Sequence, residues 1–264
     1  MRAQLKGSGQ SRSHEIICMK SIKALAKKAA RKLGYQIHKY PTSEFLPISV
    51  FDLSVQFLMA VRGEDINFIQ VGANDGEYGD PLRKYILKYP WRGILVEPQP
   101  DIFAKLQENY AAIKDRLIFE NVAIAKDVSI ITMYKAPGNH PNAYQASVVS
   151  INPKAVARQL ALRPQQLERL LVPCTSLDNM IKKYRMPQID ILQIDAEGCD
   201  YDIIRSLDLS EISPLIVQFE HGQLATREIT RAVDYLTSHG YHVLYGGDQI
   251  DTLALHKSFP LLID

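Results

Sequence analysis

From residue 51 onward, short apolar runs alternate with helical stretches, and most of the runs end on a polar or ionisable residue. A helix over 51–60 leads to a first strand, 66–71. A helix over 81–89, a strand at 93–96, a helix over 101–110 and a third strand at 117–122 follow. Later in the chain come a helix 176–184, a strand 189–194, a helix 200–207, a strand 215–219 and a helix 227–239. Strands 241–245 and 252–256 read as an antiparallel pair across a turn at Gly246 and Gly247. Alternation of this kind is the β-α-β signature of a parallel sheet. The expected fold class is therefore α/β: a Rossmann-like, mostly parallel seven-stranded sheet flanked by helices, with a C-terminal antiparallel pair.

The alternation breaks once. Residues 129–134 read as an additional strand, and residues 136–170 as an insertion holding an irregular Pro/Asn/Gln-rich loop (APGNHPNAYQAS) and a short helix near 155–160. A long irregular segment inside a compact domain is more often functional than decorative. The expected organisation is an appendage over 1–45 and one domain over 46–264. Within the appendage, residues 1–13 are polar and expected to be disordered. Between Glu15 and Leu33, Ile16, Met19, Ile22, Leu25, Ala26, Ala29 and Leu33 recur at helical spacing among lysines, which is the pattern of a basic amphipathic helix. Two readings stay open for it: packing on the domain or on a partner subunit, a homo-oligomer included, or peripheral attachment to the inner face of a membrane.

Charge sharpens the division. The formal net charge is +2, yet residues 1–40 hold ten basic residues against the single acid Glu15, which leaves the remainder at about −7. An acidic body lacks the positive surface that displaces counterions from nucleic acid, so no nucleic-acid partner is expected. Cys18, Cys174 and Cys199 are far apart, odd in number and outside any C-x-x-C arrangement. They argue against a disulfide framework or a zinc site, and for a reducing, cytoplasmic setting. No apolar run is long enough to span a bilayer, and the N-terminal apolar stretches are too interrupted for a secretory signal.

Ligands of open α/β sheets sit beyond the carboxyl ends of the strands. Those ends carry Gly72, Asn74, Asp75 and Gly76 after the first strand, and Glu97 and Pro98 after the second. Asn121, Val122 and Ala123 close the third, Asp195, Glu197 and Gly198 follow the central strand, and Glu220 and His221 follow the next. Glycines allow close approach to the main chain, and an acid about twenty residues on can accept from ribose hydroxyls. Each residue also has a bland reading: the glycines as a sharp turn, Glu97 as a helix-start acid, Asp195 as a structural cap. Two other motifs fail on context. Tyr110 and Lys114 have Y-x-x-x-K spacing but precede the third strand, and Asn152–Pro153 lies in the insertion without the aromatic that amino-group methylases place there.

Taken as a set, the strand ends resemble the FkbM family of S-adenosylmethionine-dependent methyltransferases. The matching pieces are 71–78 (VGANDGEY), Glu97–Pro98, 120–124 (ENVAI), 175–178 (TSLD), 193–198 (QIDAEG) and Phe219–Glu220, in the family's order over roughly residues 65–221. The resemblance implies a class I methyltransferase sheet. It implies that Gly72, Asn74, Asp75 and Gly76 line the methionine and ribose side of the donor, with Glu97 and its neighbour Pro98 at the ribose. Asn121, Val122 and Ala123 then lie at the adenine, and Asp195 at the reacting end. One position departs from the family: Gln193 stands where the K-I-D-x-E-G pattern has lysine, which removes a charge beside Asp195.

The implied reaction is in-line transfer of the sulfonium methyl group to a hydroxyl of a sugar, glycan or other polyhydroxylated small molecule. A hydroxyl needs a base within hydrogen-bond reach. His221 is the first candidate, and Asp195 with Glu197 the second. Convergence of Asp195 and Glu220 would allow a divalent metal instead, an option not favoured on two carboxylates. Expected acceptor contacts are His140, Tyr144 and Glu220, with Asn139, Asn142 and Gln145 nearby. Two other function classes stay open: a non-catalytic binding or assembly protein on the same fold, and a nicotinamide-dependent oxidoreductase. The latter is disfavoured because the third spaced glycine of its fingerprint is missing.

Overall fold

The computed structural model describes residues 49–138, 147–186, 188–245 and 251–260. The amphipathic pattern of 15–33, His140, Tyr144 and the Gly246–Gly247 turn lie outside them. Helix α1 (Val50–Arg62) opens the described domain. The Ser49 hydroxyl caps it by accepting from the Asp52 amide at 3.1 Å, and Gly63 ends it at φ 90°. Phe51, Val55, Leu58 and Met59 recur at i, i+4, i+7 and i+8, so a single stripe of the helix is buried.

The elements that follow are β1 (Asn67–Val71), α2 (Arg83–Lys88), β2 (Arg92–Val96), α3 (Pro100–Asn109), β3 (Leu117–Glu120), β4 (Ala123–Ile124), β5 (Ile130–Lys135), β6 (Val149–Ser150) and α4 (Pro153–Gln159). The chain continues through β7 (Glu168–Thr175), α5 (Leu177–Tyr184), β8 (Ile191–Ile194), α6 (Asp200–Ser206), β9 (Ile216–Glu220), α7 (Thr226–Ser238), β10 (Tyr241–Tyr245) and β11 (Asp251–His256). Seven strands form one sheet in the order β10-β11-β9-β8-β1-β2-β3. All pairs are parallel except those of β11, which runs antiparallel to both β9 and β10. The sheet is the expected one, including its C-terminal antiparallel strands. Strand order reverses between β1 and β8, the position where such sheets open a crevice at their carboxyl edge.

Side chains alternate between the two faces of the sheet. One face buries Ile69, Val71, Leu192, Ile194, Val217 and Phe219 with residues of α5, α6 and α7. The other buries Phe68, Leu95, Ile191, Ile216 and Leu253 with residues of α1, α2 and α3. Each large apolar side chain removed from water contributes about 1.5–3 kcal/mol, and both faces are covered in this way.

A second sheet was not anticipated. Four strands in the order β4-β7-β5-β6 form a small layer, with β5 antiparallel to β6 and β7 and β4 parallel to β7. The additional strand expected at 129–134 is β5, and the helix expected at 155–160 is α4. Strand β7 escaped the sequence reading because its segment ERLLVPCT carries charges and a proline, and only Val172 along it is buried.

Candidate active site at the carboxyl edge

The register of the large sheet determines which side chains meet. Gln70, Gln193 and Gln218 are partners across β1, β8 and β9. They follow Phe68, Ile191 and Ile216 by two positions and so lie on the same face. Two positions further on come Gly72, Asp195 and Glu220, and Asp251 of β11 pairs with Glu220. On β2, Leu95 pairs with Gln70, which places Glu97 beside Gly72. Along this face the sheet therefore passes from an apolar row to an amide row and then to an acidic row as it nears its carboxyl edge.

A cavity of about 320 Å³ opens there, within the range of small-molecule sites. Its polar floor includes Gln70, Gln193, Asp195, Glu197 and Glu220, and the small sheet supplies an apolar wall from Ile131, Met133 and Val149. Asp80, Glu97, Asp195, Glu197, Glu220 and Asp251 line it, whereas no lysine, arginine or histidine does among the described residues. Three bonds fasten the small sheet over the edge. Asn74 Nδ2 donates to Ser147 Oγ at 3.0 Å, Gln99 Nε2 to the Ser147 carbonyl at 2.5 Å, and Ser150 Oγ to the Glu197 carbonyl at 2.8 Å.

The turn after β1 is constrained by the sheet itself. A Cβ on Gly72 would stand 1.8 Å from the Asp195 carbonyl oxygen, and φ there is 80°. A Cβ on Gly76 would stand 2.4 Å from the Tyr110 ring. These contacts with β8 and with the aromatic ring account for the missing side chains without a ligand. Asn74, at φ 49°, accepts from the Asp75 amide through its own side chain. Asp75 in turn accepts from the amides of Glu77 and Tyr78.

Glu97 is 3% exposed. Its two oxygens accept from the Asn74 amide at 3.0 Å and the Gln99 amide at 2.9 Å. Burial pushes its carboxyl up to about 7 despite these bonds. Asn121 Nδ2 donates to the Glu97 carbonyl at 2.8 Å and so fixes the end of β2 from β3.

Around β8 and β9 the acids perturb one another. Burial raises both Asp195 and Glu220, and Glu220 reaches about 9, first by burial and then through the charges of Asp195 and Glu197. Glu197 rises to about 7, first by burial and then by the Asp195 charge. It sits at φ 48° before Gly198 at φ 95°, a tight left-handed turn that returns its side chain to the cavity. Asp200, fully buried, accepts from the amides of Ala196 and Glu220 and ties the ends of β8 and β9 together. Burial and the Asp195 charge raise it to about 8.

Of the residues singled out in the sequence, the cavity brings together Gly72, Asn74, Glu97, Pro98, Val122, Ala123, Asp195, Glu197 and Glu220. Asp75, Gly76, Asn121 and His221 are not among its lining residues. His221 is buried instead against β11, with Nδ1 3.0 Å from Thr252 Oγ1 and its ring 4.6 Å from that of Tyr245. His140 and Tyr144 lie outside the described residues. Sequence reasoning missed Asp80, Asp251 and the role of Gln70. The signal was available, since a glutamine recurs two positions before each of the three strand ends at 72, 195 and 220. Among the described residues no group of three or more His, Cys, Asp or Glu is arranged to hold a metal ion.

The sequence matches the model of the Methyltransferase FkbM domain over residues 70–243, more than half of the chain. No curated protein matches. Solved structures that resemble it include a methyltransferase FkbM from Methylobacillus flagellatus KT, 14% identical with a TM-score of 0.46 over 76% of this chain. The chain spans about half, 48%, of that protein. The precorrin-6y C5,15-methyltransferase from Geobacter metallireducens GS-15 is 12% identical over 81% of this chain and 94% of its own, with a TM-score of 0.39. The N-terminal domain of human METTL16 is 12% identical over 92% and 82%, with a TM-score of 0.44. The domain match over residues 70–243, on a fold of the expected class, leads to one assignment: this chain belongs to the FkbM methyltransferase family.

Proposed function

We propose that this protein transfers the methyl group of S-adenosylmethionine to a hydroxyl of a sugar, glycan or other polyhydroxylated small molecule. The observation that carries the reading is the acidic row Glu97, Asp195, Glu220 and Asp251 at the strand-order reversal, lining one cavity with apolar walls. That donor set suits the cofactor. Glu97 has acceptor capacity left for the ribose hydroxyls beyond its two amide bonds. Val122 and Ala123 offer an apolar surface to adenine, and Gln70, Gln193 and Asp195 offer acceptors to the cationic methionine end. The donor supplies an electrophilic methyl group when bound.

The protein's task is then to orient the acceptor and take its proton. Glu197 suits the base better than His221, because it lines the cavity and, at about 7, exchanges a proton near neutral pH. Asp195 and Glu220, both lining the cavity, present carboxyl oxygens to a polyol. Exclusion of water by Met133, Val149 and Ile131 strengthens each of these contacts. The test is calorimetric titration with S-adenosylmethionine and S-adenosylhomocysteine, with NAD as control. Binding of the first two at micromolar Kd without NAD binding is expected. NAD binding alone would return the protein to the oxidoreductases.

A further inference from the structure

Asp80 lines the cavity just before α2, yet its carboxylate is already full. Oδ1 accepts from the Leu82 amide at 2.7 Å, the Arg83 amide at 3.1 Å and Gln70 Nε2 at 3.0 Å, and Oδ2 from the Tyr110 hydroxyl at 2.9 Å. A carboxylate has about four lone-pair sites, so these donors leave none for a ligand. What Asp80 does in the cavity it must do through a neighbour. Of the residues that donate to it, Gln70 alone lines the cavity.

Gln70 is 2% exposed on β1. The two ends of its amide are nearly equal in shape, so packing alone does not decide which end meets the cavity. Asp80 decides it. Its Oδ1 already holds two main-chain N–H groups, so it can only accept from the glutamine, and the nitrogen is the end turned toward it. Oε1 is then left buried, with no partner among the described residues. A buried acceptor without a donor is costly, and the donor's ammonium, proposed for this position, brings donors only. The anchors of the arrangement are fixed: Tyr110 is fully buried, and the Leu82 and Arg83 amides open α2.

We infer that Asp80 is a positioning residue of the donor site: by holding Gln70 Nε2 it fixes the amide with Oε1 free to accept from the ammonium of S-adenosylmethionine. The inference rests on the methyltransferase reading of the same cavity, and Asp80 itself touches neither substrate. Orientation matters because the two ends of an amide are opposite in kind. Turned over, the same side chain would set an NH2 group against a cation, and attraction would become repulsion. Held in place, it makes a charge-assisted hydrogen bond without a side chain having to be ordered as the donor arrives. A glutamine at 70 is therefore not enough by itself; the acceptor ten residues further along the chain gives it a direction.

The experiment is calorimetry of S-adenosylhomocysteine, which keeps the ammonium, on the full chain and its variants, with Tm as the check on folding. Asp80→Ala lets the amide turn and should weaken binding about ten-fold or more. Asp80→Asn keeps an oxygen for Gln70 Nε2 and the two main-chain amides, and should restore binding to within about three-fold of the natural protein. Gln70→Leu removes the acceptor and should match the loss of Asp80→Ala. Asp80→Ala added to Gln70→Leu should weaken binding by less than about two-fold more, because the residue it positions is gone. Asp80→Ser replaces Asp80→Ala in both backgrounds if the latter does not fold, since a serine hydroxyl still serves nearby main-chain amides but is too short to hold Gln70. An undiminished loss in the Gln70→Leu background would make Asp80 a part of the turn alone and overturn the inference. So would a loss below about three-fold with Asp80→Ala, or equal losses for Asp80→Ala and Asp80→Asn. S-adenosylhomocysteine failing to bind the natural protein would instead count against the donor reading.

Discussion

In the proposed reading Glu97 holds the donor and Glu197 takes the acceptor's proton, and each role can be tested alone. Replacing Glu97 by alanine removes a buried acceptor from the proposed ribose position. Hydrogen bonds to a charged group contribute about 1.5–3 kcal/mol, so affinity for S-adenosylhomocysteine should fall by one to two orders of magnitude in calorimetry. Unchanged affinity would remove the ribose assignment. Glu197→Gln should keep donor affinity within a few fold and slow methyl transfer by about 10²–10⁴, the usual contribution of a general base. His221→Ala should leave the transfer rate nearly unchanged, since its imidazole is held against Thr252 away from the cavity lining. Equal losses in both variants, measured with labelled donor, would return the base to His221. At this scale the sequence disclosed which residue types stand at the strand ends. It did not disclose that His221 turns aside while Glu220, one residue earlier, lines the cavity, because a one-residue step reverses the face of a strand.

Among the elements, the join between β1 and β8 is the most exacting. Val71 and Ile194 are register partners, the Asp195 amide donates to the Val71 carbonyl at 2.9 Å, and the next residue, Gly72, lies against the Asp195 carbonyl. Gly72→Ala adds a methyl group where backbone already stands, at a left-handed φ. It should destabilise the protein by at least about 2 kcal/mol in urea unfolding; a smaller loss would mean that the two strand ends part without cost. The strands of the large sheet were legible because each is a short, almost wholly apolar run between helical stretches. The small sheet was not. Its two longer strands bury one residue each, the other two are two residues long, and the pairing of β7 with β4 and β5 joins segments far apart in sequence. The reason for the glycines at 72 and 76 was equally hidden, since it lies in Asp195 and Tyr110 rather than in the turn itself.

For the whole molecule, burial of so many acids at one edge links stability to pH. The folded-state values of Glu97 and Glu197 lie near 7, that of Asp200 near 8 and that of Glu220 near 9, while unfolded carboxyls titrate at about 4. Between those limits the folded state binds more protons than the unfolded one, so stability falls as pH rises. The Tm of the ligand-free protein should therefore be higher at about pH 5.5 than at about pH 8.5, and Asp200→Asn should shrink the difference. A Tm that rises over this window would show that these carboxyls are solvated or paired.

The most direct test of the account as a whole is a crystal structure with S-adenosylhomocysteine bound. The account places the ribose hydroxyls on Glu97, the adenine against Val122 and Ala123, and the sulfur toward Asp195 and Glu197. A ligand seated elsewhere, or ribose hydroxyls that leave Glu97 untouched, would contradict it.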